Sequence, residues 1–271
     1  MGYTLGKIMS ISPEIKKIPY LYRVFARAGL ARELFLDVVK GGTNRDIVAD
    51  ARRLSAEFDK SWLVRVNGVE NISEFDGCLM VFNHPNADIL FPAFLRLITE
   101  INNVYERKNP VLVMGSEIPI FGRFDKYPLP GSPTFFKRFH HIYPNNIISV
   151  PTTRIRKDYA EGRVFAACRI VKSLKNGNIV VISPEGHVEI NNQISPLSTL
   201  HAGSGRLAII ATRYRIPINP VAIWEENQGT INVEVGRPFY TETNDSVDAV
   251  NDLMRHVANL LPDKLRGPFR E

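Results

Sequence analysis

Cysteine is nearly absent: Cys78 and Cys168 are the two thiols in 271 residues. Two thiols build no disulfide framework. Both fall in apolar patterns, so they are expected as buried free thiols, as suits a reducing interior. No run reaches the ~18 consecutive apolar residues that a membrane-crossing helix needs. No long apolar core follows a basic start, so no signal peptide is expected. The pair His140-His141 has no Cys or acidic cluster beside it, which leaves little case for a metal. There is no basic helix interleaved with aromatics and no helix-turn-helix signature, so nucleic acid is not the expected partner. Ala202-Gly203-Ser204-Gly205 lacks the glycines two before and two after the serine that a nucleophile elbow requires. No internal repeat or low-complexity stretch is present.

The composition that remains is 44% hydrophobic and 23% charged, which is ordinary for a globular protein with a sizeable core. The net charge of +6 points to an anionic partner. Candidates are a phosphorylated substrate, coenzyme A, an acidic carrier protein or an anionic membrane.

Residues 1–60 read as a basic helical segment ahead of one α/β domain over 61–271. From Ile15 to Val39, apolar residues at helical spacing mix with Lys16, Lys17, Arg23, Arg27 and Arg32. Such a helix either lies on a membrane surface or packs on the rest of the protein. Gly41-Gly42-Thr43-Asn44 breaks the pattern, and Arg45 to Lys60 resumes as a second helix. Strands are predicted over Trp62 to Gly68, Gly77 to Phe82, Val111 to Met114, Ile147 to Val150, Asn178 to Ile182, Ile216 to Trp224 and Ile231 to Val235. Helices are predicted after His84, over Asp158 to Lys175, Arg206 to Tyr214 and Asp245 to Leu261. The alternation predicts a layered α/β fold, with a mixed, largely parallel sheet flanked by helices. Asp125 to Asn146 is predicted irregular, because Pro128, Pro130, Gly131 and Pro133 oppose a long helix. That insert is either a surface excursion or a lid or membrane-touching loop.

The chemistry centres on Val81-Phe82-Asn83-His84-Pro85-Asn86-Ala87-Asp88, a buried strand that breaks into a helix. A helix starting at Pro85 puts His84 and Asp88 one turn apart on one side. A carboxylate holding one ring nitrogen leaves the other as a general base. The competing reading makes both residues caps of the first turn.

Ser183-Pro184-Glu185-Gly186 resembles the Phe-Pro-Glu-Gly motif of the glycerolipid acyltransferases, the PlsC-like or lysophosphatidic acid acyltransferase group. Asn83-His84 with Asp88 resembles their His-x4-Asp motif. Ile118-Pro119-Ile120-Phe121-Gly122 resembles the second block and Ile218-Asn219-Pro220-Val221-Ala222-Ile223 the fourth. The four stand in the family's order across roughly Trp62 to Pro238. The resemblance implies an O-acyltransferase of phospholipid biosynthesis, without a cofactor. It would move a fatty acyl group from coenzyme A or acyl carrier protein to a lipid hydroxyl. It also implies His84 as base, Asp88 as its orienting acid, and Asn83, Arg154, Glu185 and Gly186 as substrate-binding residues. With the basic start, the expected place of work is the cytoplasmic, peripheral surface of an anionic membrane. Two departures stand out. The His–Asp gap is three residues where the family has four, and His187-Val188-Glu189 replaces the usual Thr-Arg-Ser. An inactive lipid- or partner-binding protein on the same fold is the alternative.

Overall fold

The computed structural model describes residues 29–42, 44–60, 62–73, 77–105, 110–118, 127–152, 159–189, 193–200, 202–227 and 229–270. Among them, seven strands form one sheet: β1 (Leu63–Asn67), β2 (Cys78–Phe82), β3 (Pro110–Gly115), β4 (Ile147–Val150), β5 (Ile179–Ile182), β6 (Ile218–Asn227) and β7 (Thr230–Val235). Their order is β1-β7-β6-β2-β5-β3-β4. Neighbours are parallel except β6 and β7, which pair antiparallel. The helices are α1 (Gly29–Lys40), α2 (Ile47–Phe58), α3 (Ala87–Val104), α4 (Ser132–Ile142), α5 (Tyr159–Lys175), α6 (Ala202–Arg213) and α7 (Ser246–Leu260).

The two-residue alternation of a strand sorts the core into two faces. Leu79 and Val81 of β2, with Val180 and Ile182 of β5, pack against Ile170 of α5, Ala208 of α6 and Met254 of α7. Cys78, Met80 and Phe82 point the other way, onto Ile89, Ala93, Leu97 and Ile101 of α3. Helix α2 lies outside α3, with Ala51, Leu54 and Phe58 against Leu95 and Ile98. Strand β2 is therefore covered on both faces and flanked on both edges. This is why its five residues read as one unbroken apolar run. The C-terminal ends of β2, β3, β4, β5 and β6 all open at one edge of the sheet, where α/β proteins place their sites.

Two expectations are corrected here. Residues 132–142 of the insert are helical, because Pro133 falls in the first turn, where its missing N–H is not needed, Pro128 and Pro130 precede the helix and Pro144 follows it. Cys168 is exposed rather than buried, whereas Cys78 is buried as expected. The α5 face that bears Cys168 also exposes Val164 and Phe165. The stretch before Gly29, with Lys16, Lys17, Arg23 and Arg27, lies outside the described residues.

Arg45 ties the first helices together. Its Nε and Nη2 donate to Asp50 at 2.7 and 2.8 Å, and its Nη1 donates to Glu33 at 3.0 Å and to Asp37. Tyr143, at the end of α4, donates to Asp50 at 2.7 Å. Of the three carboxylates only Asp50 is buried, and Arg45 itself is partly exposed, so losing the guanidinium costs about 1–3 kcal/mol, mainly through Asp50. Arg45→Ala is expected to lower unfolding free energy by roughly that amount in urea titration. Lys60→Ala, which breaks an exposed pair with Glu57, is expected to change it by under ~0.5 kcal/mol.

Candidate active site

Phe82 is the last residue of β2, and the chain then turns away from the sheet. Asn83 fills the gap with its side chain. Its Nδ2 donates to Ile223 O at 2.9 Å, and its Oδ1 accepts from Ile223 N at 2.8 Å. The amide thus continues the pairing to β6 as a further backbone position would. The remaining Nδ2 hydrogen goes to Glu189 Oε1 at 2.8 Å. Asn83, expected as a substrate-binding residue, lies buried and pins the turn from below.

Helix α3 begins at Ala87, with Asn86 at its N-cap in extended backbone (φ −60°, ψ 160°), and not at Pro85. His84 therefore precedes the helix, while Asp88 sits in its first turn. His84 Nδ1 is buried with no hydrogen-bond partner. The ring lies 6.1 Å from the Phe82 ring, at 30° to it. Burial lowers the pKa of His84 below the usual 6.5, and the nearby Glu185 carboxylate partly opposes that shift. The imidazole is accordingly neutral at neutral pH, the state a general base requires.

Glu185 follows β5 in the Ser183-Pro184-Glu185-Gly186 turn and is fully buried. Its Oε2 accepts from His84 N at 2.7 Å and its Oε1 from Ser195 N at 2.8 Å. Expected as an acceptor-binding carboxylate, it grips the main chain of the histidine. The next peptide is held too, since Glu189 N donates to His84 O at 2.8 Å. Gly186 has φ +64°, a left-handed conformation that side chains disfavour, and it turns the chain sharply after Glu185. His187 Nδ1 donates back to Glu185 O at 2.6 Å. Arg154 and Arg156 lie outside the described residues, as do residues 119–122 of the second block.

Glu189 and Ser195 were not visible as site residues in the sequence. Glu189 sits between Val188 and Ile190, in a pattern that reads as plain loop. It is buried, and loss of water together with the Glu185 charge pushes its pKa up to about 8, although the Asn83 hydrogen bond opposes the shift. The unfolded chain releases this proton near 4.5, so stability falls as pH rises from there to the folded value. Glu189→Gln keeps the acceptor for Asn83 and removes the titration. The variant is expected to match the wild type near pH 4 and to exceed it by about 3–5 kcal/mol at pH 9. Urea titrations at the two pH values check this.

A cavity of about 380 Å³ adjoins the turn, with Asn83, Pro85 and Glu189 in its wall. Among the described residues, no group of three His, Cys, Asp or Glu side chains is placed to hold a metal ion. The arrangement offers a neutral imidazole on a main chain held by hydrogen bonds, between Asn83 and Pro85 of the cavity wall, and a direct transfer needs no nucleophile. A family model described as Acyltransferase matches residues 63–224. Among solved structures, the chain is similar to the 1-acyl-sn-glycerophosphate (LPA) acyltransferase PlsC from Thermotoga maritima. That likeness has 16% identity, covers 91% of this chain and 93% of that one, and has a TM-score of 0.46. No curated protein matches the chain.

Proposed function

Since this chain belongs to the Acyltransferase family, we propose that it moves a fatty acyl group from a thioester to a hydroxyl of a glycerolipid or similar lipid. The thioester is carried on coenzyme A or acyl carrier protein. His84 takes the hydroxyl proton as the alcohol oxygen attacks the thioester carbonyl, and the thiolate leaves. A thiol is acidic enough for that departure without a covalent enzyme intermediate. The observation that supports this most directly is the neutral, buried imidazole whose flanking peptides are held by Glu185 and Glu189. When the ring becomes an imidazolium, Nδ1 must gain an acceptor. Asp88, in the adjacent helical turn, takes that place in the substrate complex, where catalytic hydrogen bonds tighten. The test is ester formation and thiol release by the purified protein with acyl-coenzyme A or acyl carrier protein and a monoacyl glycerolipid. The unpartnered Nδ1 favours a second reading, a lipid-binding protein without turnover. Absence of any ester product would select it.

The same reading has the protein working on an anionic membrane. Among the described residues no helix is long and apolar enough to cross one. Helix α1 exposes Phe35, Leu36 and Val39, and α4 exposes Phe135. The two are joined where Arg138 Nη1 donates to Val39 O at 2.8 Å. Lys40, Lys137 and Arg138 stand exposed around these apolar side chains, the mixture that binds an anionic interface. Flotation with anionic liposomes at low salt is expected for the wild type and is expected to be lost in Phe35→Asp/Phe135→Asp.

A further inference from the structure

We infer that the exposed face of α5 is a docking surface for a second copy of this chain, which lays its own α5 antiparallel across a two-fold axis. The inference does not rest on the acyl-transfer reading. Helix α5 turns Ala166, Ile170 and Leu174 inward, onto the core. On the opposite side stand Glu161, Val164, Phe165, Cys168, Lys172 and Lys175, all exposed. At about 100° per residue, these six fall in one stripe about 100° wide. Val164 and Phe165, at 66% and 67% exposure, are the two most open large apolar side chains among the described residues.

The order of residues along the stripe says what covers it. Glu161, Phe165, Cys168, Lys172 and Lys175 are spaced by four, three, four and three residues, the interval that keeps a seam facing a partner helix. The acid stands at the N-terminal end, the apolar side chains in the middle and the lysines at the C-terminal end. In an antiparallel pair centred between Phe165 and Cys168, each Phe165 lies level with the partner's Cys168. Each Glu161 then lies level with the partner's Lys172. A parallel pair would set Glu161 against Glu161 and lysine against lysine, and like charges in register repel. An anionic membrane fits less well, because Glu161 would face its headgroups.

The neighbouring charges leave this register open. No ion pair among the described residues uses Glu161 or Lys172. Lys175, at the end of the stripe, is engaged within the chain, with its Nζ 3.7 Å from the centre of the Tyr214 ring. Arg169, on the flank, is turned toward α4. Its Nη2 donates to Pro144 O at 3.4 Å, and its Nη1 lies 3.3 Å from His140 Nε2. The 17 residues of α5 span about 25 Å. One helix pair of that length buries less than the ~1,000 Å² of a firmly held complex, so the dimer is weak, half-formed at about 10⁻⁵–10⁻⁴ M.

The test is sedimentation equilibrium of the full chain at low salt, up to about 5 × 10⁻⁴ M, well above the expected midpoint. The wild type should dimerise, and Phe165→Asp, a change on an exposed side chain, should stay monomeric. Glu161→Lys and Lys172→Glu should each weaken the dimer at least about threefold, since each creates two like-charge contacts per dimer. The double variant Glu161→Lys/Lys172→Glu exchanges the charges and should recover the wild-type constant to within about twofold. In this register the two Cys168 Cα atoms stand about 6–7 Å apart, so a short bismaleimide should join two wild-type chains. The other thiol, Cys78, is buried and cannot supply that link. A wild type that is monomeric throughout overturns the inference. So does a dimer that Phe165→Asp leaves intact, or a double variant as weak as the single ones. Monomeric wild type whose flotation with anionic liposomes is lost in Phe165→Asp gives the face to lipid and overturns it too.

Discussion

Replacing His84 by alanine is expected to lower kcat/KM for acyl transfer by about 10²- to 10⁴-fold, the range that one positioned general base contributes. The fall should appear in kcat, because the ring acts on the proton that moves in the transition state. A change confined to KM would mean that the imidazole only binds substrate. The fold should survive, since the ring caps no helix and Nδ1 makes no hydrogen bond that its loss would break. His84→Gln, which can hydrogen-bond a hydroxyl but cannot accept its proton, should be as inactive as alanine. Recovery of activity in that variant would assign His84 to binding.

Glu185→Gln should be nearly as damaging, for a different reason. Both oxygens of this carboxylate accept main-chain amides, at 2.7 and 2.8 Å, in a place closed to water. Glutamine supplies one oxygen and turns an NH2 group toward the second amide, so two donors face each other. A buried donor without a partner costs about 1–3 kcal/mol. The loss of stability should be about 2–4 kcal/mol. The peptide of His84 would be released on one side, and kcat should fall at least about tenfold, as misplacement of a catalytic group by ~1 Å does. A carboxylate that bound the acceptor directly would show itself in KM. A rise in KM with kcat unchanged would return Glu185 to the substrate-binding role its motif suggests.

How legible these features are in the sequence follows from how local their causes are. Strand β2 is readable because its burial on both faces leaves a five-residue apolar run. The β6–β7 pair and the closing helix are readable from alternation and from Asp245, whose carboxylate accepts from the amides of Val247 and Asp248 at the start of α7. Helix α4 is missed because a proline in a first turn and a proline in a loop look alike until the start of the helix is known. The exposed side of α5 is missed because Val164, Phe165 and Cys168 carry the apolar signal of a core face. His84, Asn83 and Glu185 are found through their motifs, but the main-chain contacts of Asn83 and Glu185 are not. Whether a carboxylate meets a ligand or two amides depends on Ser195, ten residues away, and on a turn that shifts the helix start from Pro85 to Ala87. Glu189 has no local signature, since its place is set by Asn83, 106 residues away in the sequence.

The decisive measurement is the pH dependence of kcat/KM for the full chain with a saturating thioester donor. Burial holds the His84 proton weakly, so activity should fall on acidification with a midpoint below 6.5. Acidic loss centred above 6.5, or the same acidic limb persisting in residual activity of His84→Ala, would contradict the assignment of His84 as the proton acceptor.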